Sequence, residues 1–218
     1  MPNWFQSTTT DVNSTKSLAG RARTKRWEHM VTCFPSIAEM RVLDLGGTTE
    51  SWRLAPVQPK SVTVINLMAP TESGHPSIVH IQGDACNLPR SVSNEHFDLV
   101  YSNSLIEHVG GHANRQRLAD NVHARADRHW VQTPYRYFPI EPHWVFPGMQ
   151  CLPYKARVTV SLRWNRGHVR TYTRDEAESR VNEIDLLSIS QMRHYFPTST
   201  IWHERFAGLV KSVTALKQ

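Results

Sequence analysis

Among the side chains able to take up or position a proton between positions 107 and 143, Glu107, His108, Glu141 and His143 stand out. Imidazole titrates near neutrality, so His108 or His143 can accept a proton from a reacting group, an effect typically worth about 10²–10⁴ in rate. Glu107 and Glu141 would then position the rings or the reactant. A structural reading competes for each histidine, with His108 packing beneath a ligand and His143 stacking among aromatic neighbours. A second stretch with chemical use is "VLDLGGTTESW", 42–52, an apolar run that meets an acid and breaks into two glycines and two threonines. Val42, Leu43 and Leu45 read as a buried strand, and Gly46-Gly47 as a turn that lets the backbone approach something bound. Glycine where a strand hands over to a helix commonly seats a nucleotide-like ligand.

The elements that must position these residues follow from periodicity and punctuation. A helix is expected from about Ser17 to Cys33, with Trp27, Met30 and Val31 on one face and Pro35 beyond its end. Strands are expected at 42–46, 62–67 ("VTVINL"), 78–82 ("IVHIQ"), 97–102 ("FDLVYS") and 128–133 ("RHWVQT"), with helices near 50–55 and 112–125. Strands separated by helices or short crossovers imply a parallel sheet covered on both faces. After Pro134 the chain is rich in aromatics and proline as far as Pro153, then helical or mixed. Two apolar segments, 199–206 and 208–216, meet at Ala207-Gly208 and read as an antiparallel pair at the sheet edge. The whole, 1–218, reads as one domain with a polar, loose N-terminal arm at 1–15.

In order and spacing, "VLDLGGTTESW", "VTVINL", "GDACNLP" and "FDLVYSNSLIEHV" resemble the core of class I S-adenosylmethionine-dependent methyltransferases over about residues 40–135. The segment 199–216 matches the last hairpin of that fold. The "IEHV" helix start, "HWVQTP" and the closing "FPTSTIWHERFAGLVKSVTALK" are similar to small actinobacterial enzymes, among them mycobacterial sugar O-methyltransferases of methylmannose polysaccharide synthesis. The resemblance implies an α/β, Rossmann-like fold: a seven-stranded, mostly parallel sheet, helices on both faces, and an antiparallel edge hairpin. It implies that Asp44, Gly46 and Gly47 meet the amino-acid portion of S-adenosylmethionine. Thr48 stands where the family usually has another glycine, and Thr48 or Thr49 can instead cap the next helix. Asn66 occupies the place of a ribose-binding acid; its amide can hydrogen-bond hydroxyls without charge assistance. Asp84 and Ala85 fall near the adenine, although Asp84 after Gly83 also suits an ordinary turn. Ser102 and Asn103 end the fourth strand, so Asn103, Glu107 and His108 should reach the ligand crevice. A nicotinamide dehydrogenase would need G-x-G-x-x-G, which residues 46–51 do not supply.

The acceptor should lie where the fifth strand ends. Residues 134–175 are expected to form a lid or insert, in which Tyr135, Tyr137, Phe138, Trp144 and Phe146 make an aromatic wall and Arg136 a polar contact. Such walls suit sugar rings or planar aromatics alike, while the plainer reading is a hydrophobic cover on the sheet edge. Some relatives bind a divalent metal through Glu-x-x-Glu-His and a later histidine. Here the run is Ser104-Leu105-Ile106-Glu107-His108, lacking the first Glu. That resemblance implies Mg²⁺ or Mn²⁺ on Glu107, His108, Glu141 and His143, provided that 107 and 108 lie in the strand–helix junction. On a regular helix adjacent side chains point apart. The expected activity is methyl transfer to a hydroxyl of a small molecule or short glycan, such as a mannoside.

Composition narrows the classes. A chain of 218 residues with 39% hydrophobic content can build one proper core. Cys33, Cys86 and Cys151 are scattered and odd in number, which argues for a reducing, cytoplasmic setting and against a disulfide framework. The first residues lack a charged start followed by an apolar block, and no stretch nears 18 apolar residues, so neither a signal peptide nor a membrane partner is expected. A net charge of +6 raises the prior for a polyanion. The basic residues are dispersed, however, and "RARTKR" at 21–26 is the densest group. An RNA or tRNA methyltransferase and a non-catalytic cofactor-binding protein are the alternatives. Arg193, His194 and the last hairpin offer a surface for a homodimer.

Overall fold

The computed structural model describes residues 18–70, 75–164 and 166–218. The expected arm at 1–15 lies outside them. Nine strands alternate with helices in the described chain. Helix α1 (Leu18–Cys33) is followed by β1 (Arg41–Leu45), α2 (Thr49–Arg53), β2 (Ser61–Asn66), β3 (Ile78–Gln82) and β4 (Leu99–Asn103). Then come α3 (Gly111–Arg125), β5 (His129–Pro134), a small hairpin of β6 (Ile140–Glu141) and β7 (Phe146–Pro147), α4 (Tyr154–Arg163) and α5 (Arg174–Glu183). The chain closes with α6 (Ile189–Tyr195), β8 (Thr200–Phe206) and β9 (Leu209–Lys217).

Seven strands form one sheet in the order β3-β2-β1-β4-β5-β9-β8. The first five are parallel; β9 runs antiparallel to β5 and pairs with β8, so the expected α/β architecture and edge hairpin are both present. Phe206 pairs with Leu209 across Ala207 and Gly208, whose φ values of 48° and 81° make the two-residue turn that matches strand twist. The chain leaves β1 toward β2 and β3, and returns at β4 on the other side of β1. That reversal splays the loops after β1 and β4 apart and opens a crevice at their tips.

The interior strands are apolar on both faces because helices cover both. One face carries Leu43, Leu45, Val100 and Val131 against Leu118, Val122 and Met192 of α3 and α6. The other carries Val42, Val64, Leu99 and Trp130 against Trp27, Met30 and Trp52 of α1 and α2. Residues between 144 and 186 build a third, smaller cluster of their own, in which Trp144 and Met149 pack with Val158 of α4 and Ala177 and Val181 of α5. The insert therefore extends past the expected limit at 175. None of the described helices is long and apolar enough to cross a membrane.

Candidate active site

The β1 tip is shaped by what it must accommodate. Gly46 has φ +86°, and a Cβ there would meet Leu105 at 2.8 Å; a Cβ on Gly47 would collide with the Asp44 carboxylate. Both positions are closed to side chains by geometry. Thr48 caps α2: its hydroxyl accepts from the Ser51 N–H while Ser51 Oγ answers the Thr48 N–H, which fulfils the capping role expected of it. Asp44 is 1% exposed. Trp52 Nε1–H donates to its Oδ2 at 2.6 Å, and Oδ1 has no hydrogen-bond partner among the described residues. Burial pushes the Asp44 pKa up to about 7, against the hydrogen bonds from Trp52 and the Gly47 backbone.

A cavity of about 230 Å³ opens beside this tip, lined by Asp44, Gly46, Gly47, Thr48 and Asn103, and also by Arg23, Arg26, Trp27 and Met30 of α1. The α1 residues escaped the sequence reading, which looked for ligand contacts only after strand ends. Their available signal was the basic density of "RARTKR". Ser102 does not reach the cavity: it is buried, and its hydroxyl donates to the Leu45 carbonyl at 3.0 Å, tying β4 to β1.

At the β2 tip, Asn66 Nδ2 donates to the Gly46 and Gly47 carbonyls at 3.2 and 2.7 Å, and its Oδ1 accepts from the Met68 N–H. The expected ribose contact thus falls on a side chain already engaged in bracing the glycine turn. Leu67 and Met68 beside it are 71% and 68% exposed. Asp84 is exposed and its Oδ1 accepts from the Cys86 N–H, the turn geometry weighed above, while Ala85 is buried beneath it.

The tips of β4 and β5 bring together the acids and histidines named from sequence. Glu107 and His108 lie in the turn between β4 and α3, the junction that allows adjacent side chains to converge. Glu107 is fully buried. Thr133 on β5 donates to its Oε2 at 2.9 Å, and Oε1 has no partner among the described residues. His143 follows β6; its Nε2 is 3.1 Å from His108 Nε2 and its Nδ1 2.6 Å from Glu141 Oε1. Glu141 Oε2 accepts from the Trp144 N–H, so both of its oxygens serve to hold the insert and the His143 ring. Arg115, buried on α3, donates to the Ile106 and Asp185 carbonyls and pairs with the Asp185 carboxylate at 2.8 Å, locking this turn to the end of the insert.

The electrostatics divide the two rings. Burial takes His108 down to about 4, helped by the His143 charge. Burial also opposes charge on His143, yet the hydrogen bond to Glu141 and the charges of Glu141 and Glu107 hold its pKa above the ordinary imidazole value. Burial raises Glu107. Of the two rings, His143 therefore holds an added proton the more tightly. One atom each from Glu107, His108 and His143 lie within 4.8 Å of one another. Two nitrogens on one cation, each about 2.1 Å from it, stand roughly 3–3.4 Å apart, and a fully buried carboxylate oxygen lacking a donor is what such an ion would satisfy. The donor set fits a divalent cation on three ligands, with Glu141 orienting His143 rather than ligating.

Of the expected acceptor wall, Tyr135 is half-buried, Tyr137 is 64% exposed with its ring edge-on to Tyr135 at 5.6 Å, and Arg136 lies 3.9 Å from Asp185. Trp144 is elsewhere. It is 3% exposed in the core of the insert, and its Nε1–H donates to Ser161 Oγ at 3.0 Å. Sequence alone could not separate a wall tryptophan from a core one, because the insert's second layer comes from α4 and α5.

No protein-family model matches the chain, and the search of curated proteins found no match. Solved structures do match. An S-adenosylmethionine-dependent methyltransferase from Mesorhizobium loti superposes with a TM-score of 0.56 at 15% identity, over 89% of this chain and 96% of that one. The 1,6-didemethyltoxoflavin-N1-methyltransferase of Burkholderia thailandensis, solved with its substrate and S-adenosylhomocysteine, gives 0.54 at 14% identity, over 90% and 78%. A Rhodobacter sphaeroides protein provisionally assigned to the zinc-dependent alcohol dehydrogenases gives 0.57 at 11%, over 96% and 89%. At these identities the likeness defines the fold. It is a Rossmann-like fold of the kind those methyltransferase structures share; in this chain the strand order is 3-2-1-4-5 followed by the antiparallel edge pair.

Proposed function

We propose that this chain is an S-adenosylmethionine-dependent O-methyltransferase acting on a hydroxyl of a small molecule or short glycan, a mannoside being the most specific acceptor that its sequence resemblance favours. One observation carries the reading: Glu107, His108 and His143 converge at the tips of β4 and β5, while the glycine turn of β1 lies on the neighbouring strand. A methyl donor seated on that turn and an acceptor oxygen held by the histidines would meet in the crevice between. Exposed Leu67 and Met68 offer an apolar shelf for the donor's base, and Tyr135 and Tyr137 a face for a sugar ring.

Transfer is an in-line displacement in which the acceptor oxygen forms a bond to the methyl carbon as the carbon–sulfur bond breaks. The acceptor must shed its proton. A divalent cation on Glu107, His108 and His143 would lower the pKa of that hydroxyl, and two imidazoles with one carboxylate favour Mn²⁺ over Mg²⁺. Thr133 fixes Glu107 so that Oε1 is left for this task, Glu141 aims His143 Nε2, and Arg115 holds the turn in place. A second reading needs no cation: His108, kept neutral by burial, takes the acceptor proton directly.

The test is methyl transfer from labelled S-adenosylmethionine to short mannosides, glucosides, catechols and tRNA, each with Mn²⁺, with Mg²⁺ and with chelator. Label on a sugar only with metal supports the main reading, and equal label in chelator supports the second. Label confined to tRNA or catechol removes the glycan acceptor. Absence of label together with absence of cofactor binding removes the enzyme reading.

A further inference from the structure

The basic run at 21–26 has no part in the reading above, yet two of its arginines line the cavity at the β1 tip. Arg23 Nη2 donates to the Ser51 carbonyl at 3.0 Å, just after the glycine turn. Arg26 Nη1 stands 3.7 Å from Glu204 of β8, a buried acid that also receives the Ser212 hydroxyl and has Lys211 Nζ at 4.0 Å. Both guanidinium groups are thus tethered from the sides, Arg23 to α2 and Arg26 to the edge hairpin. A guanidinium is a planar fork of five donors, so it can serve a neighbour and a carboxylate at once. Asp44 lines the same cavity and keeps Oδ1 buried without a partner among the described residues. One space therefore offers cationic forks and an acceptor oxygen. The smallest ligand that answers both is an α-amino acid terminus, whose carboxylate and ammonium sit on a single carbon.

We propose that Arg23 and Arg26 of α1 bind the α-carboxylate of the cofactor's amino-acid end, placing α1 in the cofactor site rather than on a polyanion surface. The inference rests on the chain being an S-adenosylmethionine-binding protein, and it adds residues that lie outside the strand-tip motifs. Trp27 and Met30 share the arginines' face of α1 and line the same cavity, and both are core. The charges are arranged for a small anion held beside β1.

Isothermal titration of the full chain with three ligands tests this: S-adenosylhomocysteine, its decarboxylated analogue S-adenosyl-3-thiopropylamine, and 5′-methylthioadenosine. The wild-type chain should bind S-adenosylhomocysteine at least tenfold more tightly than the decarboxylated analogue. Arg23→Gln and Arg26→Gln should each weaken S-adenosylhomocysteine by roughly 10–100-fold, the range of a charge-assisted hydrogen bond, and leave the other two ligands within about twofold. Arg23→Lys should retain part of the preference. Arg26 also pairs with Glu204, so thermal melting identifies any Arg26→Gln sample that unfolds, and Arg23→Gln then decides alone. Equal weakening of all three ligands, or unchanged discrimination in Arg23→Gln, overturns the proposal while leaving the cofactor reading intact. A wild-type chain that binds none of the three overturns both.

Discussion

Replacing Asp44 by Asn should favour the ligand-free variant over wild type increasingly as pH rises and at the same time weaken cofactor binding. The carboxyl is fully buried, and its pKa is raised from 3.8 to about 7 by burial. A raised acid pKa means that the folded state holds the proton more tightly than the unfolded chain does. The stabilising share is therefore full below about pH 4, is lost as pH rises, and is gone above about pH 7. Linkage with these two values makes the wild-type chain about 2–3 kcal/mol less stable at pH 8 than at pH 5 through this one group. Asn does not titrate, so it removes that dependence, whatever constant cost its own amide carries. The difference in stability between variant and wild type should grow by about 2–3 kcal/mol from pH 5 to pH 8. For a domain of this size that is a relative shift of about 5–10 °C in Tm, read by calorimetry at each pH. Titration with S-adenosylhomocysteine at pH 8 should show at least tenfold weaker binding, because an ammonium loses its charged partner. A pH-independent stability difference, or unchanged affinity, would refute the account of Asp44 as a buried acid kept for a cationic ligand.

Three further outcomes follow from the packing. Gly47→Ala drives a Cβ into the Asp44 carboxylate and should cost about 2 kcal/mol or more, with loss of S-adenosylhomocysteine binding by titration. His143→Ala should cut turnover well over tenfold while cofactor affinity stays near normal; an unchanged rate removes His143 from the chemistry. Trp144→Ala leaves a hole in the insert and should cost about 3–5 kcal/mol locally, so that hydrogen exchange quickens across 144–186 while β1–β4 stay protected.

Much of the sheet was legible because its signals are local. Apolar runs bounded by turns placed the strands within a residue or two, and Ala207-Gly208 marked the edge hairpin. Thr48 announced its capping role three residues before Ser51. Glu107, His108, Glu141 and His143 were named from residue type, from their place beyond the fourth and fifth strands and from a family resemblance, and the fold brings them together. Their division of labour was not legible. Of the two roles left open for Glu141, positioning group or metal ligand, the hydrogen bond to His143 favours the first, and Thr133 and Arg115 entered as supports from β5 and α3.

By itself, the order of residues determined the strand tips, the glycine turn and the inventory of acids and bases. Periodicity and turn chemistry act over a few residues and can be read without knowing what lies opposite. Only the tertiary structure decided which face each large side chain meets. It sent Trp144 into the insert's core, set Asn66 to brace the glycine turn, and laid Arg23 and Arg26 against the cavity. Those placements depend on partners dozens of residues distant, brought near by strand pairing and layer packing, and no local pattern encodes such a contact.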